Sequence, residues 1–234
     1  LVGSEMCIRD RADTVVSVYV SESFLEKPEH EKCLQGYRYE VVSDAVFREI
    51  SDTQTPQGIL AIVRMPKYDL PDLLQGDHTH LLILESVQDP GNLGTMVRTG
   101  EGAGITGIIM NKTTVDLFNP KTIRSTMGSI YRVPYLITEH LPDLLDELHK
   151  ENIRLYAAHL KGDTYYDAFD FTGACGFLIG NEGNGLSDEI AECADCYLKI
   201  PMEGKVESLN AAVSAALLMY ECKRQRGEHN ENMV

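Results

Sequence analysis

Side chains that could take part in catalysis collect in three polar segments, each following a predicted β-strand. The segments are Glu85–Arg98, Gly180–Ser187 and Ile200–Asn210, and parallel sheets bind ligands at the carboxyl ends of their strands. Each candidate has an ordinary alternative: Asn and Ser often cap helices, an arginine is often a solvated surface residue, and a glutamate between glycines is often part of a turn. The polar residues of interest in these segments are Asn92, Arg98, Glu182, Ser208 and Asn210.

The second segment, Gly180-Asn-Glu-Gly-Asn-Gly185, follows a strand and opens a helix as a phosphate-binding loop does. A P-loop places a lysine against the β- and γ-phosphates. This chain has Leu186 at that position and a carboxylate at Glu182, so a nucleoside triphosphatase is excluded. The glycines still allow the backbone to approach some other ligand closely.

The spacing within the first segment limits how its two polar residues can meet. Asn92 and Arg98 are six positions apart, which is about 240° around a helix at about 100° per residue. If both residues are helical, they therefore point to different faces. We expect them to converge only if Asn92 lies in the preceding loop, where it would also be the N-cap.

Strands and helices alternate around these segments, which indicates an α/β fold with a mostly parallel sheet covered on both faces. The predicted strands of this block are Leu81–Leu84, Ile105–Met110, Ile153–Ala157, Gly176–Ile179 and Tyr197–Ile200. Its predicted helices are Asn92–Ala103, Pro120–Met127, Pro142–Lys150, Leu186–Cys193 and Ser208–Arg224.

A smaller α/β block comes first, and the two blocks define the predicted domains. Its predicted strands are Thr14–Val20, Tyr39–Val42 and Gly58–Val63, and its predicted helices are Glu29–Gln35 and Asp44–Ile50. Two prolines separate the blocks and indicate a linker. The predicted divisions are a non-native leader at 1–11, a small α/β domain at 12–65, a linker at 66–79, a larger α/β domain at 80–226 and a frayed tail at 227–234.

Composition narrows the class of protein. The chain has 234 residues, 43% of them hydrophobic, and a net charge of −15, so it can bury a core and is not a disordered polyanion. No apolar run approaches the ~18 residues of a membrane span. Six cysteines are too sparse for a disulfide framework, which indicates reduced thiols and a cytoplasmic location. Cys193 and Cys196 have no second Cys/His pair nearby, so we predict no metal site.

The negative charge argues at face value against a nucleic-acid partner, because phosphate binding normally needs surplus lysine and arginine. The charge is, however, segregated. Residues 90–134 contain five basic and two acidic side chains, whereas residues 139–195 contain thirteen acidic and three basic ones. We therefore expect a local basic patch around the first segment and a solvated acidic face elsewhere.

Together the three segments resemble the SpoU (TrmH-type) family of RNA ribose 2′-O-methyltransferases, of the SPOUT class. The block before the linker resembles the family's ribosomal-protein-like substrate-binding domain without its first strand and helix, which indicates an N-terminal truncation. The family's three motifs read here as Asn92-Leu-Gly94-Thr-Met-Val-Arg98, as Gly180-Asn-Glu182-Gly-Asn-Gly185, and as Ile200-Pro-Met-Glu-Gly204 followed by Ser208-Leu-Asn210.

The resemblance implies an S-adenosylmethionine-dependent enzyme with a C-terminal trefoil knot that acts as a homodimer on RNA. Large-subunit rRNA is favoured over tRNA, because an RNA-binding domain precedes the catalytic one. The five candidate residues match the family's catalytic and RNA-positioning set. The residues that would contact the cofactor are Gly180, Gly185, Ile200, Met202 and Leu209.

If the resemblance holds, the chemistry of methyl transfer to a ribose hydroxyl indicates a role for each polar residue. A ribose hydroxyl is a poor nucleophile unless its proton is drawn away, yet a guanidinium loses its proton only above pH ~12. We therefore expect Arg98 to hold the target phosphate and stabilise charge. Asn92 and Ser208 would orient it, and Glu182 would hold Arg98 or a ribose hydroxyl.

Two alternatives stay open at this point. A non-catalytic RNA-binding or ribosome-assembly protein could use the same scaffold, but no member of the polar set is replaced here. A base-modifying SPOUT methyltransferase would share the knot but not the Asn…Arg and Ser-Leu-Asn motifs.

Overall fold

The computed structural model describes residues 14–51 and 55–231, with side chains described up to residue 227. The chain forms two compact units, Leu1–Lys67 and Tyr68–Val234, which we describe separately. The predicted leader at residues 1–11 lies outside the described residues, as does the end of the predicted tail.

The first unit is built on a three-stranded sheet with the order β2-β1-β3. Strand β1 pairs in parallel with β2 and antiparallel with β3. The core contains Val18, Val20, Phe24 and Ile59. A helix predicted over Glu29–Gln35 is divided into α2 and a 3₁₀ turn. The elements are β1 (Val15–Ser21), α1 (Glu22–Leu25), α2 (Pro28–Glu31), β2 (Tyr39–Val42), α3 (Asp44–Ile50) and β3 (Ile59–Val63).

The second unit contains a seven-stranded sheet with the order β6-β5-β4-β9-β7-β10-β8. Every strand pairing described in this sheet is parallel, which confirms the predicted fold class. Because all its strands point the same way, the sheet has one carboxyl end and one amino end. Its strands are β4 (His80–Leu84), β5 (Gly107–Asn111), β6 (Tyr135–Thr138), β7 (Arg154–Ala158), β8 (Thr164–Tyr165), β9 (Cys175–Ile179) and β10 (Cys196–Lys199).

Helices cover both faces of this sheet. Successive side chains of each strand point to opposite faces, so both faces carry residues for helices to pack against. On one face, α7 buries four leucines at helical spacing and shares a core cluster with Leu178 of β9. On the other face, the Cys222 thiol of α9 lies 3.8 Å from that of Cys175. The helices are α4 (Leu70–Leu73), α5 (Pro90–Ala103), α6 (Pro120–Thr126), α7 (Leu141–Lys150), α8 (Asp188–Glu192) and α9 (Ala211–Glu231).

Several boundaries differ from the predictions. Strands β6 and β8 were not predicted, since β6 is a four-residue edge strand directly after Pro134 and β8 has only two residues. The segment predicted to be a linker contains α4, whose Leu73 is completely buried, so its later part belongs to the second unit. Helix α9 begins three residues later than predicted and continues to Glu231, so the first residues of the predicted frayed tail are helical.

Candidate active site

The three polar segments meet at the carboxyl end of the seven-stranded sheet. The first follows β4, the second follows the neighbouring strand β9, and the third follows β10. Side-chain hydrogen bonds join them directly: Asn92 contacts Glu182 of the second segment and Asn210 of the third. The predicted convergence of the segments therefore occurs, but through contacts different from those we expected.

Glu182 is fixed by hydrogen bonds to the first segment. Its carboxylate accepts the backbone N–H groups of Gln88 and Asp89, and the side-chain amide of Asn92, each at 3.0 Å. Partial burial raises the pKa of the Glu182 carboxyl, but these three donors outweigh burial and leave its pKa below the usual value. The carboxylate is therefore held ionised and in one orientation.

Asn92 is not the N-cap of its helix, contrary to prediction. Helix α5 begins at Pro90, and Asp89 caps it by accepting the Asn92 backbone N–H at 2.9 Å. Proline suits the first helical position because the N–H that it lacks would be unpaired there. The earlier start leaves the Asn92 side chain free to join Glu182 and Asn210.

Asn210 connects the third segment to this network. Its side-chain oxygen accepts the backbone N–H groups of Ala212 at 2.9 Å and Val213 at 3.3 Å, so Asn210 rather than Ser208 caps the last helix. Its amide nitrogen donates to the Asn92 side-chain oxygen at 3.0 Å. The result is a continuous chain, Glu182–Asn92–Asn210, that fixes which end of each amide donates and which accepts.

Arg98 lies on α5 but outside this chain. Asn92 and Arg98 are both helical, so the six-residue spacing separates their side chains around the axis. Arg98 is exposed, and within residues 14–51 and 55–231 no hydrogen bond or salt bridge involves it. Glu182 does not contact Arg98, because Asn92 and two backbone groups occupy the carboxylate. The other expected partner of Glu182, a ribose hydroxyl, stays a prediction.

The other predicted residues of the third segment lie on the loop between β10 and α9. Ser208 is exposed, and Ile200, Met202 and Leu209 are half-buried. The described residues provide no hydrogen-bond partner for the Ser208 side chain. Of this segment, the structure therefore joins only Asn210 to the polar chain.

The shape of the second segment requires glycine at positions 180 and 185. A Cβ atom on Gly180 would lie 2.1 Å from the carbonyl carbon of Gly185, and Gly185 has a φ of +72°. Asn181 and Gly185 exchange two backbone hydrogen bonds, at 3.0 and 2.9 Å. The loop thus closes on itself with its backbone packed too tightly for side chains at these two positions.

Sequence reasoning missed residues that attach this loop to the turn after β4. The Asn181 side-chain amide donates to the Ser86 carbonyl at 2.9 Å. Ser86 has a φ of +56°, which is uncommon for a residue other than glycine. Its backbone N–H donates to the Asn111 side chain at 2.9 Å. No spacing in the sequence indicates these contacts, since they join positions that are far apart in the chain.

The basic patch is smaller than the sequence suggested. Arg98 and Arg124 have no acidic partner among the described residues, so these two retain an uncompensated positive charge on the surface. The other three basic residues of the region pair with carboxylates: Lys112 with Glu139, Lys121 with Asp89, and Arg132 with Glu101.

Residues 14–51 and 55–231 contain no group of histidine, cysteine, aspartate or glutamate side chains arranged to hold a metal ion. No helix within them has the length and apolar character needed to cross a membrane.

Two family models match this chain. Residues 79–220 match the family model described as SpoU rRNA Methylase family. Residues 5–69 match the model described as RNA 2'-O ribose methyltransferase substrate binding. The chain therefore belongs to the SpoU rRNA methylase family, which confirms the family that the three motifs predicted.

Individual relatives are similar over most of the chain. The 23S rRNA (guanosine(2553)-2'-O)-methyltransferase RlmP of Bacillus subtilis (strain 168) is 36% identical over 80% of this chain and 73% of its own length. The 23S rRNA (guanosine-2'-O-)-methyltransferase RlmB of Xylella fastidiosa (strain 9a5c) is 35% identical over 71% of this chain and 68% of its own length.

Solved structures are similar over almost the whole chain. The SpoU methyltransferase AviRb from Streptomyces viridochromogenes, in complex with the cofactor AdoMet, has a TM-score of 0.87 and is 26% identical. The match covers 97% of this chain and 89% of that chain. The family models and the named relatives place this chain among the RNA 2′-O-methyltransferases. The class of enzyme predicted from the sequence is therefore confirmed.

Proposed function

We propose that this protein transfers a methyl group from S-adenosylmethionine to a ribose 2′-hydroxyl of large-subunit ribosomal RNA. The observation that carries the proposal is the hydrogen-bonded chain Glu182–Asn92–Asn210, which joins the three family motifs at one end of the sheet. Family membership and two relatives named as 23S rRNA methyltransferases support the same activity. A ribosomal substrate would place the protein in the cytoplasm.

The glycine loop fits a cofactor that contacts backbone groups. Gly180 is buried against the Gly185 backbone, whereas Gly185 is exposed and has no atom within 4 Å of its Cβ position, so its main chain is uncovered. We assign cofactor contacts to these glycines and to Ile200, Met202 and Leu209. S-adenosylmethionine would supply an electrophilic methyl group there. Holding the two reactants in one geometry supplies much of the rate of such a transfer.

Arg98 suits the target phosphate. It is an exposed cation without an acidic partner in the described part of the chain, and a guanidinium binds phosphate through paired N–H groups. Glu182 keeps Asn92 oriented, so that the second N–H of the Asn92 amide can meet RNA. Ser208 would contribute a hydroxyl from the neighbouring loop.

We also propose that the protein forms a homodimer. An apolar groove between α5 and α9 is the surface that we assign to the contact between the two copies. The groove has a volume of about 490 Å³, and its lining includes Thr95, Val213, Leu217 and Tyr220. Val213 and Tyr220 are each 47% exposed, although both are large apolar residues. Arg98 follows Thr95 by three positions, so it lies beside this groove on α5.

The likeness to SpoU structures also supports the trefoil knot as a proposal.

The test is methyl transfer from S-adenosylmethionine labelled in its methyl group. The protein is incubated separately with unmodified rRNA and tRNA, and each product is digested to nucleosides. We expect label in a 2′-O-methylated nucleoside from large-subunit rRNA. Label in a base would indicate a base-modifying enzyme, and RNA binding without transfer would indicate a non-catalytic protein. Either result would overturn the proposal.

A further inference from the structure

Glu85, which none of the three motifs contains, holds the far end of the glycine loop. It follows β4 directly, and its carboxylate accepts two hydrogen bonds from Ser187. The Ser187 backbone N–H donates at 2.8 Å and its hydroxyl at 2.6 Å. Ser187 in turn caps α8, since its side-chain oxygen accepts the Ile190 N–H at 3.3 Å. One carboxylate therefore ties the end of β4 to the point where the glycine loop becomes a helix.

The start of the loop is attached to the same turn. Asn181 donates to the Ser86 carbonyl, and Glu182 accepts the Gln88 and Asp89 N–H groups. The ladder between β4 and β9 ends where Leu84 pairs with Ile179, with one further bond from the Glu85 N–H. Beyond that point, side chains rather than strand pairing fix the loop against the turn after β4.

Fold stability does not depend on the Glu85–Ser187 contact alone. Leu186 and Ile190 on either side of Ser187 are buried, at 7% and 3% exposure, and belong to the main core cluster. These apolar anchors would keep α8 in place if the contact were lost. The loop between Gly180 and Ser187 would then lose one of its two attachments while the sheet stayed intact.

We propose that Glu85 is a positioning residue that, through Ser187, holds the glycine loop in the conformation that binds S-adenosylmethionine. This inference rests on the proposed function. A loop that is already ordered loses less conformational entropy when a ligand binds. Glu85 therefore sets the affinity for the cofactor and not the rate of methyl transfer once the cofactor is bound.

The test compares Glu85→Ala, Ser187→Ala and the double variant by calorimetric titration with S-adenosylmethionine. We expect Glu85→Ala to raise the Kd about tenfold, as loss of hydrogen bonds to a charged group predicts. The KM for S-adenosylmethionine rises by the same factor, while kcat at saturating cofactor and the KM for RNA stay unchanged. Ser187→Ala removes the hydroxyl bond to Glu85 but keeps the backbone N–H bond, so we expect a smaller rise in Kd. The double variant should bind S-adenosylmethionine no more weakly than Glu85→Ala, because Glu85→Ala already removes both bonds.

Glu189→Gln is the matched control, since it removes an exposed carboxylate two residues after Ser187. Hydrogen exchange without ligand gives a second readout, and residues 180–187 should exchange faster in Glu85→Ala than in the control. A Kd within twofold of wild type, or a fall in kcat alone, would overturn the positioning role. Wild-type protein that binds no S-adenosylmethionine would instead overturn the proposed function, and the role of Glu85 with it.

Discussion

The two ends of the seven-stranded sheet differ in how exposed their polar side chains are and in what those side chains bind. At the carboxyl end, Glu182, Asn92 and Asn210 hydrogen-bond to one another in an exposed setting. Arg98, six positions after Asn92 on α5, has no partner among the described residues. This end therefore combines a fixed hydrogen-bonded frame with polar groups that a ligand can reach.

At the amino end, one arginine side chain is engaged by several backbone carbonyls. The Arg226 guanidinium donates to the backbone carbonyls of His78, Thr79, Phe171 and Gly173, at 2.6 to 3.1 Å. These carbonyls precede β4 and β9, so one side chain closes the entry to both central strands. The same helix α9 serves the two ends, with Asn210 capping its start and Arg226 near the other end. We infer that the amino end serves stability and the carboxyl end serves the reaction.

Arg98→Ala should have the largest effect and would test the carboxyl end. We expect kcat to fall about 10³-fold, because the variant removes the cation assigned to the target phosphate. Affinity for S-adenosylmethionine and the unfolding midpoint should not change. Arg124→Ala is the control, because Arg124 is the other exposed arginine of residues 90–134 that has no acidic partner among the described residues. An equal loss of cofactor affinity and activity would show that Arg98 has a structural role, and it would argue against a reactive carboxyl end.

Gly180→Ala should have the next largest effect. The added Cβ atom would lie 2.1 Å from the Gly185 carbonyl carbon, so the loop has to open. We expect the Kd for S-adenosylmethionine to rise at least about 30-fold. Gly183→Ala is the control, since its nearest contact would be an ordinary 3.5 Å. Calorimetric titration of both variants checks this, and equal affinities would show that the loop does not hold the cofactor.

Arg226→Gln tests the amino end. The variant loses most of the hydrogen bonds to the four carbonyls, so the free energy of unfolding should fall by about 2 kcal/mol. Denaturant unfolding measures this change, with Arg224→Gln as a control for a surface arginine that pairs with Glu221. Cofactor affinity should stay at the wild-type value. A loss of affinity without a loss of stability would reverse the assignment of the two ends.

The smallest expected effect concerns the pH dependence of stability. A hydrogen bond from the Cys175 thiol lowers the pKa of the Cys222 thiol, and although burial raises that pKa, His80 and Arg226 lower it further. The Cys222 thiol therefore has a lower pKa in the folded protein than in the unfolded chain, where its pKa is about 9. The ionised thiol stabilises the fold, and this contribution is complete above about pH 9. The contribution is lost as the pH falls through the folded-state pKa.

The wild-type free energy of unfolding should therefore rise from pH 6 to pH 8 more steeply than that of Cys222→Ala. The difference should be below about 1.4 kcal/mol per pH unit, the limit for one group. Cys193→Ala is the control, because burial raises the pKa of that thiol. Equal slopes for Cys222→Ala and wild type would show that the thiol stays neutral.

The sequence predicted the central strands and the three motif segments because their signals are local. β4 and β9 are short apolar runs between polar loops, and the motif spacing identified the family. The Asp89-Pro90 pair is an equally local signal for the start of α5, yet we placed the start at Asn92. Asn210, two positions after the predicted cap Ser208, was misjudged in the same way, because both residue types cap helices well.

The contacts that build the site could not be predicted from spacing. Asn92 and Glu182 are ninety positions apart, and Glu85 and Ser187 are still further apart. Their meeting depends on β4 and β9 being neighbours in the sheet, an order that periodicity does not reveal. Arg226 shows the same limit, since its four acceptors are backbone groups that have no sequence signature.

Hydrogen exchange with and without S-adenosylmethionine tests the central claim most directly, because it reports on both ends of the sheet in one measurement. We predict slower exchange on cofactor binding in residues 180–187 and 200–210, at the carboxyl end. Residues 76–80 and 170–175, at the amino end, should exchange at the same rate in both samples. Protection confined to the amino end, or spread equally over both ends, would contradict the division of roles proposed here.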